Sequence, residues 1–337
     1  MRSGLPAMLS RTMAARVLVA FFALLWLLPA AAQQDPAAGF PSRPMRLVNP
    51  FAPGSVLDVV ARMLAPKMNE TWGVPVLVDN KPGATGTIGM DFVAKSAPDG
   101  HTIGILIISH AVNSALEGSK MPYDIVRDLA PITQLTSNAY VLSVNAKLPV
   151  RSVSDLVAHA RANPGGVRYG SSGTGGVIHL AGEWLALLSR VNMTHVPYKG
   201  NAPAIADVAG GHIEMMFSSV TLSAPLATQG LIRSIAVTSA KRLAALPALP
   251  TMQESGIAGF EVDGWYGIAG PQGIPVAIVD KLNRELVRIV RLQDTRDKLA
   301  ADGMLPVGGT PAQFAALLKS EDEKWRRVVQ DRGLAAK

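Results

Sequence analysis

Short β-rich runs alternate with helical stretches along most of this chain, and that alternation restricts the fold more than any other feature. Residues 46–51 precede a helical stretch at 56–70, residues 75–79 precede one at 87–97, and a further strand follows at 101–108. Such spacing specifies βαβ units on a parallel sheet. The order resumes with a strand at 141–145, then a helix opened by Ser152 with Asp155 three residues on, the spacing of a capping box. A strand at 167–170, a helix at 177–189, a strand at 192–196, a helix at 202–209 and strands at 213–217 and 231–238 complete a second unit, with a short helix before the last strand. The tail is helical: Thr310 caps it, Pro311 takes the first helical position and Gln313 closes the box ahead of Phe314. The expected fold class is α/β, in two units that are each a mainly parallel sheet flanked by helices.

The first residues follow a secretory pattern. Arg2, Arg11 and Arg16 flank the apolar run 17–28, Pro29 breaks it, and Ala30 to Ala32 offer a small-residue cleavage site. A membrane-spanning helix needs roughly 20 apolar residues, so a signal peptide over 1–32 and a mature chain from Gln33 are expected, with a retained anchor as the alternative. The remaining roughly 305 residues exceed the usual size of one domain. Two lobes are therefore expected, 40–140 plus 242–337 and 141–241. Residues 140–145 and 235–239 are apolar and read as crossings that act as a hinge; one large sheet is the alternative. Without the leader arginines the formal charge drops from +7 to about +4, with no clustered Lys/Arg stripe, so no nucleic-acid partner is expected. The absence of cysteine excludes disulfides, thiolate metal sites and a lipidated cysteine.

Three loops carry the chemistry. Residues 49–58, NPFAPGSVLD, form a Pro/Gly turn between a strand and a helix. A helix start leaves unpaired N–H groups and about half a positive charge, enough to hold a carboxylate without Lys or Arg. Gly54 and Ser55 are the expected donors, while Asp58 reads either as a helix cap or as a partner for a ligand's neutral or ammonium group. Residues 80–89, NKPGATGTIG, add Thr85 and Thr87. Residues 170–179, GSSGTGGVIH, repeat the arrangement in the second unit, so that each unit offers an anion-cradling loop.

Enzyme motifs fail on the same residues. The turn at 170–174 lacks the G-x-S-x-G spacing of a nucleophile elbow, and Lys199-Gly200-Asn201 reverses the order a P-loop needs. His179 and Glu183 share a helix face, but HExxH is absent, so packing or hydrogen bonding is the expected role. A hydrolase with Ser172 as nucleophile lacks a base. No catalytic residues, cofactor or metal are expected.

With these loops, the mature chain resembles the Bug family, the solute-binding receptors of tripartite tricarboxylate transporters. The resemblance rests on FPSRPMRLVNPFAPGS, VDNKPGATGTIGMDFVAKSAPDGHT, MPYDIVRDLAPIT, GSSGTGGVIHLAGE, HVPYKGNAPAIADVAGGHIEMMF, IAVTSAKRLAALPALPTMQESG and PVGGTPAQFAALLKSE, in that order. It implies a Venus-flytrap fold, a soluble monomer in the periplasm, one carboxylate in the cleft, and delivery to an inner-membrane permease of one large and one small subunit. A receptor presenting its closed form to a sensor kinase is the alternative. The resemblance places the ligand against Phe51, Gly54, Ser55, Val56 and Asp58, then Thr87, Ser109 and Ala111, and in the second unit Ser171, Ser172, Thr174, Gly175, Ser218 and Ser219.

Departures from the family pattern fall on these loops. Val56 and Leu57 stand in a turn that is usually more polar, Gly176 and Val177 where a Thr-Ser type pair is common, and Ser218 and Ser219 where an Asp-Asn pair is usual. Lacking that acid, the cleft is expected to favour a plain or aromatic carboxylate over an amino acid, whose ammonium seeks a carboxylate partner. Pro66 is expected to kink or end the first helix.

Overall fold

A computed structural model describes residues 37–301 and 303–335. The expected signal peptide and its cleavage site lie outside the described residues. Strand β1 (Met45–Asn49) leads into α1 (Val56–Trp72), β2 (Val76–Asn80) into α2 (Thr87–Ala94), and β3 (Thr102–Ile107) directly into α3 (Ile108–Glu117). A long strand, β4 (Leu129–Asn145), is followed by α4 (Val153–Ala162), β5 (Arg168–Ser171), α5 (Val177–Ser189), β6 (Thr194–Pro197), α6 (Asn201–Gly210), β7 (Met215–Ser219), α7 (Val220–Thr228) and β8 (Ile232–Val237). The chain continues with β9 (Asp263–Pro271), α8 (Val276–Arg291), α9 (Gln293–Ala301), the two-residue β10 (Leu305–Pro306) and α10 (Pro311–Arg332). Among the described residues no helix is long and apolar enough to cross a membrane.

The parallel units are present: β1 lies between β2 and β3, and β5 between β6 and β7. What joins them is antiparallel, which makes the sheet as a whole mixed. The first part of β4, Leu129 to Ala139, pairs with β9, and its last part, Tyr140 to Asn145, pairs with β7 and β8. One strand thus passes from one ladder to the other at Ala139 and Tyr140.

Helix α1 does not end at Pro66 but runs through it to Trp72. Proline removes the hydrogen bond to the carbonyl of residue 62. Both Arg62 and Pro66 face solvent, where water can take up that carbonyl, while Leu57, Val60, Ala61, Leu64, Ala65 and Met68 form a buried stripe against β1 and β2. Packing of that stripe outweighs one lost bond. At the other end of the chain the capping box forms as read: Thr310 Oγ1 accepts the Gln313 N–H at 3.2 Å, and Gln313 Oε1 accepts the Thr310 N–H at 2.8 Å.

Candidate functional site: loops at opposed strand ends

The ladder registers bring the two sets of loops face to face. Ile107, the last residue of β3, pairs with Tyr266, which pairs with Thr136 of β4. Ser219, the last residue of β7, pairs with Tyr140. Because β3 runs with β4 and β7 runs against it, the C-terminal ends of the two parallel units point toward each other. Their landing points on β4, Thr136 and Tyr140, are about 13 Å apart at roughly 3.3 Å per residue. Helices α1, α2 and α3 start at one set of ends and α5, α6 and α7 at the other. Each helix start carries unpaired N–H groups and a partial positive charge.

The loop after β1 is fastened by Asp58. Its Oδ2 accepts the Gly54 N–H at 3.0 Å and the Arg62 Nε–H at 2.9 Å, and its Oδ1 accepts from Asn80 Nδ2 at 3.0 Å. The Arg62 guanidinium, helped by the Gly54 and Asn80 donors, holds this carboxyl at about 2. Asp58 is therefore a clamp that ties the loop to the end of β2, while Ser55 is the cap of α1. The clamp changes which donors are free. Gly54 gives its N–H to Asp58, and Ser55 gives its own to the Ala52 carbonyl at 3.2 Å while its Oγ caps Asp58 N–H. The first two helical residues, Val56 and Leu57, present the N–H groups that have no acceptor among the described residues.

Three loops of the first unit meet at Gly86. A Cβ there would stand 2.5 Å from His110 Nε2 and 3.2 Å from Phe51 Cε2, and its φ of +91° also calls for glycine. This junction sets Phe51 beside the start of α2, where Thr87 is half-buried. His110 is fully buried at the start of α3, and burial lowers it to about 4. Its neighbour Ser109 is half-buried, but Ala111 sits in the core and offers no accessible side chain.

In the second unit, Ser171 is fully buried at the end of β5. Its Oγ lies 2.7 Å from His195 Nε2 and accepts the Gly173 N–H at 3.1 Å. Ser172 and Thr174 are exposed. Gly175 is half-buried; it donates its N–H to His179 Nδ1 at 3.1 Å, and a Cβ on it would stand 3.1 Å from Leu116 of α3. Ser218 is fully buried within β7, whereas Ser219 is half-buried and shares a 3.0 Å hydrogen bond with Thr221. A cavity of about 620 Å³ adjoins the crossing point and is walled by Ala139, Val220, Leu243 and Met304 among others; the expected ligand residues do not line it.

Sequence reasoning missed His195 and the packing of His110 against Gly86. Neither had a local signal, since the partners of His195 are Ser171 and His179 and that of Gly86 is His110. Ser171 and His195 resemble a nucleophile and base in distance alone, for the hydroxyl is buried.

Opposed α/β ladders with helix starts lining the gap define a solute-binding protein of the periplasmic-binding-protein type. The profile of the tripartite tricarboxylate transporter family receptor, TctC, matches residues 60–334, and the chain belongs to that family. It is 39% identical over 298 residues to the UPF0065 protein in the tcbD-tcbE intergenic region of Pseudomonas sp. strain P51, covering 88% of each chain. To BugT of Bordetella pertussis it is 34% identical over 301 residues, covering 88% of this chain and 92% of BugT. Among solved structures, Rpa4515 of R. palustris with adipate is 35% identical, with a TM-score of 0.69 over 88% of this chain and 99% of that one. MatC from Rhodopseudomonas palustris with bound malate is 30% identical, with a TM-score of 0.66 over 86% and 100%. A TctC solute binding protein from Polaromonas without ligand is 27% identical, with a TM-score of 0.80 over 87% and 99%. The family consists of solute-binding receptors, not enzymes.

Proposed function

We propose that the protein captures a small organic carboxylate between two lobes, 40–140 plus 242–337 and 141–241, in the periplasm after cleavage near Ala32. As a monomer it delivers this ligand to an inner-membrane permease of one large and one small subunit. The observation that carries the reading is the opposition of the two sets of helix starts across Thr136 and Tyr140 of one strand. An anion in the gap meets Val56 and Leu57 N–H groups and the Thr87 and Ser109 side chains on one side, and Ser172, Thr174 and Ser219 on the other. Bending at Ala139 and Tyr140 closes the gap. The closer overlay on the ligand-free relative than on the adipate- and malate-bound ones, against the order of sequence identity, supports an open conformation here.

The ligand is a plain or aromatic carboxylate. Val56 at the first position of α1 and Ile88 in α2 are about half exposed, at 49% and 54%, and no acidic side chain stands at Ser218 or Ser219 to meet an ammonium group. Asp58 has both oxygens engaged.

The test is thermal unfolding of the mature protein, refolded to remove carried-over ligand, against dicarboxylates, tricarboxylates, aromatic acids and amino acids. A ligand at 100 times its Kd adds about 2.7 kcal/mol, a shift of several degrees at roughly 2–4 °C per kcal/mol. Glutarate is expected to bind more tightly than glutamate. No shift by any carboxylate in a natively refolded protein overturns the ligand class; tighter binding of glutamate overturns the preference.

A further inference from the structure

Beneath the second-unit loop lies a cluster that ligand capture as described leaves unused. The rings of His179, on α5, and His195, on β6, have centroids 3.9 Å apart and planes inclined by 31°. Each ring holds a different end of the loop: His195 Nε2 meets Ser171 Oγ at 2.7 Å, and His179 Nδ1 accepts the Gly175 N–H at 3.1 Å. An acceptor nitrogen carries no proton, so the proton of His179 sits on Nε2, 3.8 Å from Glu183 Oε1.

The groups packed around this pair keep it in place. Tyr169 of β5 donates its hydroxyl to Glu183 Oε1, and Arg332 of α10 donates Nε–H to Glu183 Oε2 at 2.5 Å. The Tyr169 ring reaches Glu183 by lying over Gly182, where a Cβ would run into it.

We propose that His179 and His195 are positioning residues for the ligand loop 171–175, one ring fastening each end so that Ser172 and Thr174 are presented to the ligand. The proposal rests on the reading of this loop as half of the carboxylate cradle. It carries a pH dependence. Burial lowers both rings from the ordinary imidazole value, and the adjacent His179 helps bring His195 to about 4. A proton on His179 Nδ1 would point at the Gly175 N–H and break that bond. Folded values below the unfolded 6.5 keep both rings neutral above that pH, and the fastening weakens as pH falls below it. Tyr169, Glu183 and Arg332 are the titratable or charged groups facing the pair from β5, α5 and α10.

The test is NMR of the 15N-glycine-labelled protein together with calorimetric binding. In the wild type the Gly175 amide resonance should shift as pH falls below about 6.5. In His179→Phe, which keeps a flat ring but no acceptor, Gly175 should exchange about tenfold faster or more. Affinity in that folded variant should fall about tenfold for whichever of adipate, malate, benzoate and glutamate shifts the wild-type Tm most. His179→Asn, whose Oδ1 can stand in for Nδ1, should restore protection and affinity and reduce the acid dependence of Kd.

An unchanged Gly175 exchange rate or an unchanged Kd in folded His179→Phe overturns the proposal. Should that variant not fold, a wild-type Gly175 resonance indifferent to pH overturns it. If none of the four acids binds the wild type, the carboxylate reading falls separately, and Gly175 exchange alone upholds or overturns the fastening.

Discussion

Arg332, the last residue of α10, donates to the carboxylate of Glu183 on α5 at 2.5 Å across 149 positions of sequence. Helix α10 packs mainly on α3 and β4, so this ion pair ties the C-terminus to the second parallel unit. Arg332→Ala leaves a buried carboxylate with only Tyr169 as donor. The expected loss is about 1–3 kcal/mol in urea unfolding, with a Glu183→Gln/Arg332→Ala double variant losing less than the two single changes together.

Gly86→Ala should destabilise by about 1–3 kcal/mol, because the new methyl meets His110 and Phe51. The chain there also holds a φ of +91°. Unfolding midpoints at constant m-value are the measurement, and an unchanged midpoint would show that the three loops separate without cost.

Asp58→Asn should lower the unfolding midpoint at neutral pH by loosening the 49–58 turn, and do so far less near pH 2. The folded pKa is depressed from 3.8 to about 2, so the carboxylate's contribution is complete above about 3.8 and disappears as pH falls through 2. Equal effects at pH 7 and pH 2 would contradict the clamp.

Asp263→Asn should have the opposite sign. Burial raises this carboxyl, hydrogen-bonded by Ser137, to about 6. The folded state then holds its proton more tightly, stability falls as pH climbs from about 3.8 to 6, and the penalty persists above. The amide substitution removes it, so a gain on the order of 1–2 kcal/mol is expected at pH 7.5, with little change at pH 3.5. Chemical denaturation at the two pH values checks this.

Much of this architecture was legible because local chemistry set it. Helix α5 occupies the expected 177–189, and the caps at Ser152 and Thr310 form as the spacing indicates. Strand β4 was legible only in its last stretch. Its first part contains Pro131, Thr133, Gln134, Thr136, Ser137 and Asn138, and register shifts at Pro131/Thr133 and Gln134/Thr136 interrupt the alternation that marks a strand. It is held by β9, more than a hundred residues later, which no local pattern announces. The same applies to the candidate loops: their place between strand and helix was legible, but not which of their N–H groups remain free, since the bonds from Gly54 to Asp58 and from Gly175 to His179 are features of packed geometry.

Because both ladders hang on β4, that strand works as a ruler. Sliding its register by one residue would shift a set of loops by roughly 3.3 Å and turn every alternating side chain to the wrong face. The distance between Thr136 and Tyr140 is therefore not open to gradual adjustment. Side chains that protrude from the strand ends, such as Val56, Ile88 and Ser219, can change while the spacing beneath stays the same.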